Sequence, residues 1–180
     1  MTDEPALDRD AVAASLHAAW LADLSDEEQT AGATTIEAIV DEWAREAAVS
    51  SQPDAVLEIL RADLDEACAN QPDGPLAGLA RYLLNRQVAR LGAETFSLAT
   101  QVVDGTVGSE EAAIEGAALL GRTEELADEV NSLPDDPGLA ALRARLGDAM
   151  LEARYAIDQG AMSLRLGRYA GDAEAPDLQH

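Results

Sequence analysis

The sequence predicts an all-α protein: a compact bundle of five to seven helices, two of them long and central, at about residues 75–103 and 137–171. Three observations lead there. Hydrophobic residues make up 47% of the 180-residue chain but aromatic residues only 3%, so the core is built from Ala, Leu and Val, which favours close helix contacts over bulky sheet packing. Apolar residues recur at spacings of three and four, the period of a helix face. Breaker phrases ("SSQPD", "NQPDGP", "DGTVGS", "DDPG") divide the periodic stretches. A chain of this length fits one domain, expected over 1–171, with 172–180 as a disordered acidic tail.

The first helix is expected from about Pro5 to Asp23, burying Val12, Leu16 and Trp20 at intervals of four. Ser25 with Glu28 three residues on forms a capping box that starts the second. Its apolar stripe is Ile36, Ile39, Val40, Trp43 and Ala47, and Glu37, Asp41, Glu42 and Glu46 fall on the flanks, with Asp41 and Arg45 in reach of each other at i,i+4. Pro53 suits only a first turn, so a third helix covers about 52–69 through Val56, Leu57, Leu60, Leu64 and Ala67.

The fourth helix carries two seams. Leu84, Val88, Leu91, Thr95, Leu98 and Val102 alternate by four and three, and Tyr82, Ala89, Phe96 and Val103 recur every seven on another side. A helix apolar on two sides is expected to have a neighbour on each. Ser109 is the expected cap of the fifth element, which Gly121 and Thr123 are expected to split into two short helices. Asp136 caps the last helix, with Pro137 at its first position.

Charge is partitioned along the chain. There are 35 acids, 12 arginines and no lysine, for a net charge of -23; residues 1–75 carry -15 and 110–136 carry -8, whereas 76–109 carry +1 and 137–171 carry +2. Such an excess repels nucleic acid and anionic membrane surfaces, so neither is expected as a direct partner. It also suits a salt-rich cytoplasm, where screening removes the self-repulsion. On a helical wheel the last helix has two apolar sides, Leu139, Leu142, Leu146, Ala153, Ile157 and Leu164 on one and Leu151, Tyr155, Met162, Leu166 and Tyr169 nearly opposite. Arg143, Arg154, Arg165 and Arg168 line a strip between them. The strip is expected to aim its guanidinium groups at acids of neighbouring helices; joined by Arg86 and Arg90, it is also the candidate site for a phosphate or carboxylate. The second apolar side is the candidate interface for a protein partner or a second copy.

No motif of catalysis stands out: there is no phosphate-binding glycine loop, no "GxSxG" and no "HExxH". One cysteine, Cys68, and two histidines, His17 and His180, make no Cys/His metal set, and Cys68 is expected as a small buried residue, since no cation lies near it in sequence to activate it. Acid pairs such as Glu111 with Glu115 and Glu124 with Asp128 arise by chance in so acidic a chain. No cofactor or metal is expected. The start "MTDEPALDRD" is acidic where a secretory signal is basic, so a cytoplasmic location is expected. The expected function is non-catalytic: a regulatory or adaptor protein acting through protein contacts. Two alternatives are an acidic decoy that occupies a cationic or nucleic-acid-binding site of another protein, presenting Asp23, Asp26, Glu27, Glu28, Glu37, Asp41 and Glu42, and a binder of small anions that uses the arginine strip.

Overall fold

The computed structural model describes residues 7–69, 71–133 and 137–172, without the side chains of 137 and 163–172. The expected tail, the Asp136 cap and residues 1–6 lie outside them. The described residues are all-α, with six helices: α1 (Arg9–Trp20), α2 (Asp26–Ala48), α3 (Pro53–Ala69), α4 (Pro75–Asp104), α5 (Ser109–Ser132) and α6 (Pro137–Asp172). Among the described residues none forms a strand. α4 and α6 are the two longest helices, at 30 and 36 residues. The packing falls into two compact units, Met1–Gln87 and Val88–His180.

In the first unit local chemistry sets the helix ends. Asp8 caps α1 by accepting from Ala11 N–H at 3.0 Å, so α1 begins after an acid rather than at Pro5. The capping box of α2 is present, Glu28 N–H donating to Ser25 Oγ and Ser25 N–H to Glu28 Oε2 at 3.0 Å. Ser25 Oγ–H also donates to Glu28 Oε2 at 2.6 Å, and that bond first and the Ser25 N–H bond second hold the Glu28 carboxyl below its ordinary pKa. Leu16, Ile36, Ile39, Trp43, Leu60, Leu64, Leu79 and Tyr82 are buried together. Their centre is polar at one point. Trp43 Nε1 donates to the Tyr82 hydroxyl at 2.9 Å, that hydroxyl donates to the Leu60 carbonyl at 3.0 Å, and the two rings meet edge-on with centroids 6.4 Å apart. Both donors of this aromatic pair are thereby satisfied inside the core.

Two charge expectations on α2 are corrected here. Glu42, placed on a solvent flank by the pattern, is buried at 3% exposure. Arg45 accordingly pairs with Glu42 at 2.8 Å, and Asp41 pairs with Arg9 of α1 at 2.9 Å. The physical reason is width: α2 is covered by α1 on one side and α3 on the other, so its buried face is broader than one stripe. Cys68 is buried as expected, and Gly78 packs so closely on it that an added Cβ would lie 2.8 Å from Cys68 Cα. Burial, with the Asp65 charge second, pushes the thiol up to about 11.

The second unit is an antiparallel pairing of α5 and α6 with the C-terminal part of α4. Buried residues of α5 fall at 112, 116, 119, 123, 126 and 130, and those of the described part of α6 at 139, 142, 146, 149, 153, 156 and 160. Both alternate by four and three, the spacing of a coiled-coil seam. The seam is tapered. Large residues (Leu126, Val130, Leu139, Leu142, Leu146) fill one end, and small ones (Ala112, Gly116, Ala153, Ala156, Gly160) let the backbones close up at the other. A Cβ added at Gly160 would lie 2.5 Å from the Ser109 carbonyl oxygen, and one at Gly116 3.1 Å from the Ala153 carbonyl oxygen.

α5 is one helix, not two. Thr123 does not cap a restart, because its buried hydroxyl donates back to the Leu119 carbonyl at 2.7 Å within the helix. The cap residue is Gly108, with Ser109 already helical and no side chain capping it.

Candidate interaction surface

With the α4–α6 and α5–α6 packing in place, the orientation of α6 is fixed, and so is the side it leaves bare. Its buried seam carries Leu139, Leu142, Leu146, Ala149, Ala153 and Ala156. Roughly half a turn away stand the expected interface residues Leu151, Tyr155 and Met162, exposed by 66%, 42% and 53%. The spacings of four and seven keep them on one stripe. The side chains of Leu166 and Tyr169 lie outside the described residues.

α4 has the same property. Its first seam is buried through Leu84, Val88, Leu91, Thr95 and Leu98. Its second seam is not: Tyr82 is buried in the first unit, but Phe96 and Val103 are exposed by 63% and 69%, and Ala89, Ala93 and Thr100 of the same side are exposed too. The expectation of neighbours on both sides of each long helix therefore fails in the second unit. The reason is number: three helices share one seam apiece there, and each outer side is left without a fourth.

Thr95 ties these two bare sides together. Its hydroxyl, fully buried, donates to Glu152 Oε2 of α6 at 2.9 Å, with the Gly92 carbonyl at 3.1 Å as the alternative acceptor. Phe96 directly follows Thr95 and Tyr155 follows Glu152 by less than one turn. The two exposed aromatic residues thus flank one α4–α6 contact.

The described arginines of the expected strip, and Arg86 and Arg90 with them, face groups of the chain itself. Arg143 Nε donates to Asn131 Oδ1 at 3.1 Å, Arg154 lies 3.6 Å from Glu124, and Arg90 pairs with Glu94 at 3.1 Å. Arg86 pairs with Glu46 within the first unit; burial opposes its charge, and the Glu46 hydrogen bonds and charge outweigh that and raise its pKa. The side chains of Arg165 and Arg168 lie outside the described residues. A groove of about 580 Å³ between α4 and α5 is lined by Arg90, Glu94, Gln101, Glu115 and Arg122. Its two cations converge on the chain's own Glu94, which Arg122 reaches at 2.5 Å. A bound anion would have to displace that carboxylate.

Electrostatically the bare sides differ from the rest of their unit. α5 carries seven acids against one arginine, whereas the second-unit part of α4, residues 88–104, carries one arginine against two acids and α6 five against four. The exposed apolar residues Phe96, Val103, Leu151, Tyr155 and Met162 belong to the two near-neutral helices, and Ile114 on α5 and Leu133 after it are exposed as well. Among the described residues no three or more His, Cys, Asp and Glu side chains are grouped to hold a metal ion, and no helix is long and apolar enough to cross a membrane. Compared with known proteins, the chain matches no family, no curated protein and no solved structure.

Sequence reasoning located the α6 stripe but treated Phe96 and Val103 as covered. The signal that separates them was present. α5 offers a single apolar seam with the four-three alternation, so it can cover one side of α4 and one side of α6, not two of each.

Proposed function

We propose that this is a cytoplasmic adaptor or regulatory protein that works through protein contact and not through turnover, with the α4–α6 side of its second unit as the docking face. One observation carries the reading. Among the described residues, five of the nine exposed large apolar side chains stand on two adjoining helices, exposed by 42–69%, whereas Val49, Ile59, Ile114 and Leu133 are scattered singly. A contiguous apolar surface of this kind on a water-facing protein marks a place where another surface lands. Polar chemistry supports the same reading. The arginines that could serve an anion are held by Glu46, Glu94, Glu124 and Asn131, and the cysteine thiol is buried and protonated at neutral pH.

The test is a photo-crosslinking side chain placed at Leu151 in living cells, compared with one at Val49, which is 88% exposed in the first unit. The expected outcome is a discrete crosslinked protein species from position 151 and none from position 49. Equal or absent crosslinking at the two positions refutes the reading, as does steady turnover of a substrate by the purified protein.

A further inference from the structure

Resting on that docking face, we infer that its occupant is a second copy of this chain, in a two-fold arrangement that sets α6 antiparallel to α6. Charge narrows the choice. A partner rich in Lys and Arg would be drawn to α5, which carries a net six negative charges, and not to the neutral side. Two copies of a chain carrying -23 repel each other over most of their surfaces, so their closest approach is where charge is balanced, on α4 and α6. Most of the second unit's exposed large apolar residues are there, with Ile114 on α5 and Leu133 after it standing apart.

Shape along α6 agrees. Its outward stripe is small in the first half (Ala140, Ala144, Gly147) and large in the second (Leu151, Tyr155, Met162), with all six exposed. A parallel copy would set large against large. An antiparallel copy centred on Leu151 sets Met162 opposite Ala140 and Tyr155 opposite Gly147, and brings Leu151 against its own copy. Gly147 has room for this, since an added Cβ there would meet nothing within 4 Å. An isologous contact of this kind is self-complementary by construction. Its size suffices: large side chains offer about 150–250 Å² each when fully exposed, so the five give about 500 Å² per chain and about 1,000 Å² over the pair, the lower bound for a specific interface.

Sedimentation equilibrium of the full chain across a wide concentration range, at low and at multimolar salt, tests the association. A monomer–dimer equilibrium is expected, tighter at high salt because screening removes the repulsion between the two acidic copies. Leu151→Glu shifts it at least tenfold toward monomer with unchanged helix content, whereas Val49→Glu leaves it in place. Register is tested by Leu151→Cys, which forms a disulfide between chains on mild oxidation, while Val49→Cys does not. A wild-type chain that stays monomeric at every concentration and salt overturns the second-copy assignment, and so does a dimer that Leu151→Glu does not weaken. Crosslinking of Leu151 to a different protein in cells, with a monomeric purified chain, overturns the second copy and leaves the docking face standing.

Discussion

Replacing Gly160 by Ala should destabilise the protein, although the same replacement at Gly121 should stabilise it. Both glycines lie inside long helices, at α6 and α5, where helix propensity alone favours Ala by about 1 kcal/mol. Their surroundings differ. At Gly121 an added Cβ meets nothing within 4 Å, so the full gain is realised. At Gly160 it would lie 2.5 Å from the Ser109 carbonyl oxygen and 3.1 Å from the Ala113 nitrogen. Those are backbone atoms, which no change of rotamer can move aside, so α5 and α6 must separate at their closely packed end. Overpacking costs about 1–3 kcal/mol, and rigid neighbours place this site toward the top of that range. Subtracting the propensity gain leaves Gly160→Ala about 2 kcal/mol less stable than the wild type. The two variants then differ by about 3 kcal/mol, or roughly 6–12 °C in melting midpoint for a chain of this size. Thermal and urea unfolding followed by circular dichroism at 222 nm measure this. A Gly160→Ala protein as stable as Gly121→Ala would mean that the backbones do not approach as closely as the tapered seam requires. The outward orientation of Leu151, Tyr155 and Met162 would lose its basis with it.

The remaining predictions concern the first unit. Tyr82→Phe strands the Trp43 Nε1 donor in the core and removes a second bond to the Leu60 carbonyl, which lies within α3, and should cost about 1–3 kcal/mol in urea unfolding; a loss below the scatter of surface variants would show that water reaches the indole N–H. Burial pushes the Tyr82 phenol up to about 12, outweighing the lowering effect of its hydrogen bond to Trp43. The neutral form is therefore favoured in the folded state, and its stabilising contribution of about 2–3 kcal/mol is complete below pH 10 and lost as pH rises from 10 to 12. Tyrosinate absorbance should show one tyrosine ionising last, together with loss of helix; three tyrosines titrating together near pH 10 in the folded protein would contradict this. Cys68 should resist a disulfide reagent at pH 8 until the protein unfolds, because it is buried and its thiol is held protonated. Labelling as fast without urea as with it would refute that.

Much of the fold is set by short-range chemistry that the chain carries in its order. Ser25 and Glu28 cap each other across three residues, and Pro53, Pro75 and Pro137 open α3, α4 and α6 because a first turn does not use their missing N–H. The four-three alternation of Leu84 through Leu98 named a buried seam, and that seam is buried. These features depend on neighbours within one turn of the chain, so periodicity and capping rules reach them. Thr123 was misread for a related reason: a threonine can cap or can bond back within a helix, and the choice depends on whether the surroundings bury it.

What the order of residues could not supply was the number of helices around each long one. Leu151, Tyr155 and Met162 look the same on a wheel whether a fourth helix covers them or water does, and so do Phe96 and Val103. Glu42 illustrates the converse, an acid on a polar flank that two neighbouring helices enclose together. Burial is a property of the assembly of elements and not of any one of them, since a face leaves water only when another segment, distant in the chain, arrives to cover it. Composition and spacing thus determined the helical class, several of the helix ends and the apolar sides. Tertiary packing alone decided which of those sides were used up in the core and which remained exposed.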